Sequence, residues 1–200
     1  AGLYNSARIS CCGFYQPSVE LANAYKVNPA GLPLLDGSYR TNPYKSDLGL
    51  TGAAKENYQV NKTLPFDPRL DYTIGRRGVP YRDWGVMPGD AWIRDPAYGG
   101  PFVAVKQMIN KADFGGNTSP GTTNITGLNV NIIRLADVYL MAAECAVETN
   151  DLAYARDRVN DVRNRAATLP VITVGGTPAA AYNVKPYASF PNQDYARNAV

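Results

Sequence analysis

Two apolar rhythms in residues 130 to 168 (VNIIRLADVYLMAAECAVETNDLAYARDRVNDVRNRAAT) predict a pair of antiparallel helices joined by a short turn. In the first, Arg134, Asp137, Met141, Glu144 and Glu148 share one side of a helical wheel, while Ile132, Leu135, Ala136, Tyr139, Leu140, Ala143 and Ala146 cover most of the remainder. A helix of that kind is expected to have neighbours on several sides. In the second, Leu152, Ala155, Val159, Val162 and Ala166 alternate steps of three and four, which buries one stripe and leaves Arg156, Asp157, Asn160, Asp161, Asn164 and Arg165 outside. Thr149-Asn150-Asp151 between them offers side-chain oxygens to cap the second helix.

The rest of the chain is less periodic. Residues 17 to 27 predict a short helix capped by Ser18 and stopped at Asn28-Pro29. From 29 to 66, glycine and proline recur too often for long elements, although Ala53 to Tyr58 suit a helical turn or two. DPRLDYT (67 to 73) reads as an Asp-Pro turn followed by a strand with Leu70, Tyr72 and Ile74 on one side. Residues 75 to 101 are irregular and aromatic. Val103 to Asn110 suit a short strand or helix, and 113 to 129 form a polar connector. Val171 to Val174 predict a strand before a Gly175-Gly176 turn, and 191 to 200 open a further helix capped by Asn192 or Asp194. The expected fold class is mainly α: a helical hairpin (130–168) packed with a loop-rich aromatic region containing short strands (14–129), then a loop and the start of a helix (169–200). Neither end reads as a natural terminus, so residues 1–200 are expected to be part of a single larger domain.

Composition removes several functions. Histidine is absent, which excludes Ser-His and Cys-His catalysis and the commonest metal ligand from this chain's own residues. A net charge of +3 without a run of Lys or Arg gives no nucleic-acid footprint. Cys11, Cys12 and Cys145 have neither a disulfide framework nor a metal spacing; adjacent Cys11-Cys12 are expected as free thiols and Cys145 as a small buried filler. No stretch is long and apolar enough to span a bilayer. The motifs GxxxxGK[ST], GxGxxG, CxxC and EF-hand are missing, and Gly115-Gly116-Asn117 precedes no helix. No cofactor or metal is expected.

Fourteen Tyr and two Trp remain to be explained. Tyr81-Arg82-Asp83-Trp84, followed by Asp90, Trp92, Arg94, Asp95 and Tyr98, interleaves flat rings with planar hydrogen-bonding groups. That mixture suits a carbohydrate, whose C–H faces stack on rings while its hydroxyls meet Asp and Arg. The candidate ligand-binding residues are therefore Tyr81, Arg82, Asp83, Trp84, Trp92 and Tyr98. The competing structural reading makes one or both Trp anchors of the loop. Asp83, Asp90 and Asp95 also raise the two carboxylates of a glycoside hydrolase, but each has cationic company and none is marked as a raised-pKa acid. No enzyme is expected. Arg76-Arg77 suit either a carboxylate ligand or internal pairing.

The hairpin has features of a TPR unit in Tyr139, Ala143, the Asn150-Asp151 turn, Ala155 and Val159. A single repeat cannot bury its own faces, so its neighbours are expected to come from parts of the protein outside these residues. The order of motifs is more specific. PSVELANAYKVNPAGLPLLD (17–36), DPRLDYTIGRRGVPYRDWG (67–85), YGGPFVAVKQ (98–107), NIIRLADVYLMAAECAVE (131–148) and VNDVRNRA (159–166) closely resemble the later half of SusD/RagB-family proteins, over nearly all of residues 14 to 200. That resemblance implies a SusD-like α/α fold, present in part. It implies a non-catalytic lipoprotein on the outer-membrane surface of Bacteroidota-type bacteria, which captures a nutrient, usually a glycan, above a SusC-like TonB-dependent transporter. The lipid anchor would lie outside these residues. A peptide-binding member of the family and a TPR-type scaffold without ligand remain as alternatives. Arg134, Asp137, Glu144, Asn160, Arg163 and Arg165 match the family pattern, and some of them are expected to pair across the two helices.

Overall fold

A computed structural model describes residues 15–93, 95–106, 108–113 and 131–200. Cys11, Cys12, Arg94, Gly115-Gly116-Asn117 and nearly all of the 113–129 connector lie outside the described residues. The described chain is mainly helical, with α1 (Val19–Ala24), α2 (Gly52–Glu56), α3 (Pro96–Gly99), α4 (Leu135–Glu148), α5 (Leu152–Ala167) and α6 (Gln193–Ala199). Its strands are two residues long: β1 (Pro65–Phe66), β2 (Ile74–Gly75), β3 (Val103–Ala104), β4 (Thr173–Val174), β5 (Thr177–Pro178) and β6 (Ala181–Tyr182). They form three separate pairs, β1 with β6 in parallel and β2 with β3 and β4 with β5 antiparallel. Gly175 and Gly176 both take positive φ, the geometry of a tight β4–β5 hairpin turn.

The hairpin at 130–168 is α4 and α5. At the end of α4, Asn150 turns into the left-handed region (φ 61°), and the Asp151 and Asn150 amides donate back to the carbonyls of Ala146 (2.8 Å) and Val147 (3.0 Å). This is a Schellman closure with asparagine where glycine is usual. Asp151 then caps α5 by accepting from the Tyr154 amide at 3.1 Å. The facing surfaces are built from Ala143, Ala146, Val147, Ala155 and Val159, small enough for close approach, and Tyr187, Phe190 and Ala196 complete that core. Helix α6, capped by Asn192, ties to α4 through Gln193 on the Val147 carbonyl (2.8 Å) and a two-point ion pair from Arg197 to Glu148 (2.7 and 2.9 Å).

Three expectations need correction. Residues 67–73 are not a strand: Pro68–Tyr72 is a 3-10 helix, because Asp67 accepts from the Arg69 amide (2.9 Å) and Pro68 brings a helical φ to the first turn. The strand follows it, at Ile74. Cys145 is exposed, since it lies one position off the Ala143–Ala146–Val147 stripe. Among the described residues α5 and α6 cover one face of α4, and Leu135 (65% exposed), Val138 and Met141 (53%) stand on the other, the side on which further neighbours are expected. Among the described residues none of Arg134, Asp137, Glu144, Asn160, Arg163 and Arg165 pairs with another across the hairpin, although Arg158 of α5 lies 5.3 Å from the centre of the Tyr139 ring of α4. Arg134 pairs with Asp137 one turn on, and Asn160 exchanges bonds with the backbone of Tyr187 (2.9 and 2.7 Å). Arg163 donates to the carbonyls of Lys185 (2.7 Å) and Gly31 (2.6 Å). The hairpin therefore grips the loops beside it.

A second core, with Ala22, Tyr44, Phe66, Leu70, Ile74, Phe102 and Ala180, surrounds a buried ion pair. Arg76 meets Asp71 at two points (2.7 and 2.8 Å) and the Ala179 carbonyl at 3.0 Å, and the Tyr182 hydroxyl also donates to Asp71. Arg77 reaches the carbonyls of Pro88 (3.0 Å) and Lys55 (2.9 Å), with Asp47 at 3.5 Å. Of the two readings of Arg76-Arg77, internal pairing is the one found.

Candidate functional site

The aromatic loop has its own small core. Tyr81, Met87, Ile93 and Val105 are buried together, with Trp84, Trp92, Val103 and Met108 packed against them. Residues 78–87 form a miniature hairpin: the Gly78 and Met87 amides donate to the Met87 and Val79 carbonyls (2.9 Å each), and the Tyr81 amide to that of Gly85 (2.8 Å). Arg82 at its tip takes a positive φ of 48°, within a turn that carries the four consecutive side chains of Tyr81, Arg82, Asp83 and Trp84.

Each of those four holds the segment that follows β3. The Tyr81 hydroxyl donates to the Ala104 carbonyl, and its ring, only 1% exposed, meets Trp92 edge-on at 5.7 Å. Arg82 donates to the Val105 carbonyl (3.0 and 3.3 Å) and the Asn110 side chain (3.1 Å). Asp83 accepts from the Lys111 and Ala112 amides (2.6 and 2.8 Å), and those two bonds lower its pKa. Trp84 donates its indole N–H to the Ile109 carbonyl at 2.9 Å. Gly75 makes this packing possible, since a Cβ there would lie 2.6 Å from Val103 Cγ2 and 2.7 Å from the Tyr81 ring.

Thus Tyr81, Arg82, Asp83, Trp84 and Trp92 come together. Tyr98 stands apart, 93% exposed on α3, whose first turn Asp95 caps by accepting from the Tyr98 amide (3.1 Å). Sequence reasoning passed over its surroundings: the end of the Gln16 side chain packs against Gly99, and Tyr15 beside Gln16 is also exposed. Nothing in the residues near position 15 signals a contact more than eighty positions away.

The carboxylates have structural tasks. Asp83 caps backbone amides, Asp90 is paired with Lys55, and Asp95 caps α3. The low pKa of Asp83 is the opposite of what a general acid requires. Among the described residues no group of three His, Cys, Asp or Glu side chains converges as a metal site, and no helix is long and apolar enough to cross a membrane.

No curated protein sequence matches the chain significantly. A family model does, over residues 3–200, and that family is described as the SusD family. A match across almost the whole chain, on a mainly helical fold with short strands and loops, places this protein: it belongs to the SusD family.

Proposed function

We propose that this protein captures a glycan at the bacterial cell surface and hands it to a SusC-like TonB-dependent transporter in the outer membrane, without chemistry of its own. The SusD family is one of non-catalytic surface proteins that bind nutrients alongside such transporters. The family match over residues 3–200 is the observation that carries the reading. The loop geometry supports the choice of ligand. Trp92 offers a half-buried ring and Arg82 a guanidinium at the hairpin tip, on a frame that Tyr81, Trp84 and Asp83 hold in place, and Tyr98 adds an open ring on the separate α3. Rings pre-ordered in this way bind sugar faces without a further ordering cost. Tyr81 belongs to the frame, since its ring is interior. Attachment to the membrane is through a lipid anchor on a part of the protein outside residues 1–200.

Isothermal titration of the full-length protein against a panel of neutral and acidic oligosaccharides and a peptide pool tests the proposal. Saccharide binding that falls about tenfold or more in Trp92→Ala or Tyr98→Ala, with the folded state kept, supports it. Binding of peptides alone moves the ligand class to peptides. Binding of neither, with a transporter still co-purifying, replaces the receptor by a scaffold.

A further inference from the structure

All seventeen Asp and Glu side chains of the chain lie among the described residues, so the partner of every carboxylate is on view. None pairs with Lys106, and none pairs with Arg82. The two are neighbours: Arg82 donates to the carbonyl of Val105, the residue before Lys106. The Val105 amide in turn donates to the Thr73 carbonyl (3.0 Å), which sets Lys106 beside the end of the 3-10 helix that carries Arg69. Partial burial lowers the Lys106 pKa, and the like charges of Arg134, Arg69 and Arg82 add to it. The carboxylates nearby are already engaged. Asp67 takes Arg69 at two points (2.9 and 2.6 Å), Asp137 takes Arg134 (3.1 and 2.6 Å), and Asp83 takes two backbone amides. Asp113 is held by Asn110, which also accepts from Arg82.

Two neighbouring surface cations without a carboxylate of their own attract an anion. The aromatic loop supplies one of the two, so an anion there would be continuous with a sugar lying on that loop. We infer that Lys106 and Arg82 form a subsite for the acidic group, carboxylate or sulfate, of an oligosaccharide. This rests on the glycan-capture reading and narrows it to acidic glycans.

The test titrates full-length protein with tetragalacturonate, a sulfated chondroitin tetrasaccharide and tetraglutamate, with neutral galactotetraose as control. One acidic saccharide is expected to bind at least tenfold more tightly than the neutral one, to weaken with added salt, and to lose about tenfold in Lys106→Met. Lys106→Arg is expected to retain most of the binding. Lys106 is on the surface, so Lys106→Met is expected to melt with the wild type. Equal binding of acidic and neutral saccharides, or an unaffected Lys106→Met, overturns the acidic subsite and leaves glycan capture standing. Tetraglutamate bound as tightly as the saccharides overturns the ligand class. Binding of no tetrasaccharide overturns the subsite, and the broader panel then judges glycan capture separately.

Discussion

Replacing Arg163 by methionine tests whether the hairpin holds the loops through this one cation. The guanidinium is 3% exposed, meets no carboxylate, donates to the Lys185 and Gly31 carbonyls at 2.7 and 2.6 Å, and lies 4.9 Å from the centre of the Tyr187 ring. Burial is the main reason its pKa is lowered, so the native state already carries a desolvation cost. Each charge-assisted bond contributes roughly 1.5–3 kcal/mol and the ring contact about 1 kcal/mol. Methionine refills the aliphatic volume and removes the buried charge, which offsets several of those kcal/mol. The Gly31 carbonyl keeps the Lys185 amide at 3.1 Å, and water reaches the exposed Lys185. The balance is a loss of about 2–3 kcal/mol, which lowers the melting temperature of a chain this size by about 4–12 °C. Arg163→Lys, with one compact donor for two carbonyls, is expected to lose at least as much. Thermal unfolding followed by circular dichroism reads both. A methionine variant as stable as the wild type, or more so, refutes the reasoning: desolvation would then outweigh the bonds, and the grip of α5 on residues 31 and 185 would be packing alone.

Two further outcomes are expected. Asp83 has its carboxyl pKa lowered on folding, so its caps on Lys111 and Ala112 contribute above the unfolded value near 3.9 and are lost as pH falls through the lower folded value. Both tryptophans of the chain lie in this loop, so their emission should hold steady down to about pH 4 and shift below it; a shift centred above pH 5, or the same titration in Asp83→Asn, would sink this assignment. Gly75→Ala pushes a methyl into Val103 and the Tyr81 ring and should cost about 1–3 kcal/mol with a red shift in tryptophan emission, whereas unchanged stability and emission would mean that β2 and β3 yield easily.

Much of the local structure was legible, because its causes are local. The α4–α5 hairpin follows from helical spacing and from Asn150-Asp151, and α1 and α6 from the capping oxygens of Ser18 and Asn192. Leu70, Tyr72 and Ile74 alternate like a strand, yet the Asp67-Pro68 pair ahead of them is a helix start, and it prevailed. Cys145 was misjudged because apolar character does not say which face meets a neighbour. In the candidate site the residue types were visible but their directions were not. Tyr81 and Trp84 turn inward through bonds to Ala104 and Ile109, more than twenty residues away. Lys106 was passed over because its significance is a missing partner, which appears only once every carboxylate has been placed.

The hairpin tip holds the segment after β3 almost entirely by that segment's main chain: the carbonyls of Ala104, Val105 and Ile109 and the amides of Lys111 and Ala112. A peptide group offers the same donor and acceptor whatever side chain it carries. Positions 106, 111 and 112 are thus released from the work of holding the loop, and substitution there can alter what the surface recognises without loosening the frame beneath. Under the proposed glycan capture, ligand preference at this surface would change by point mutation while the fold stays the same.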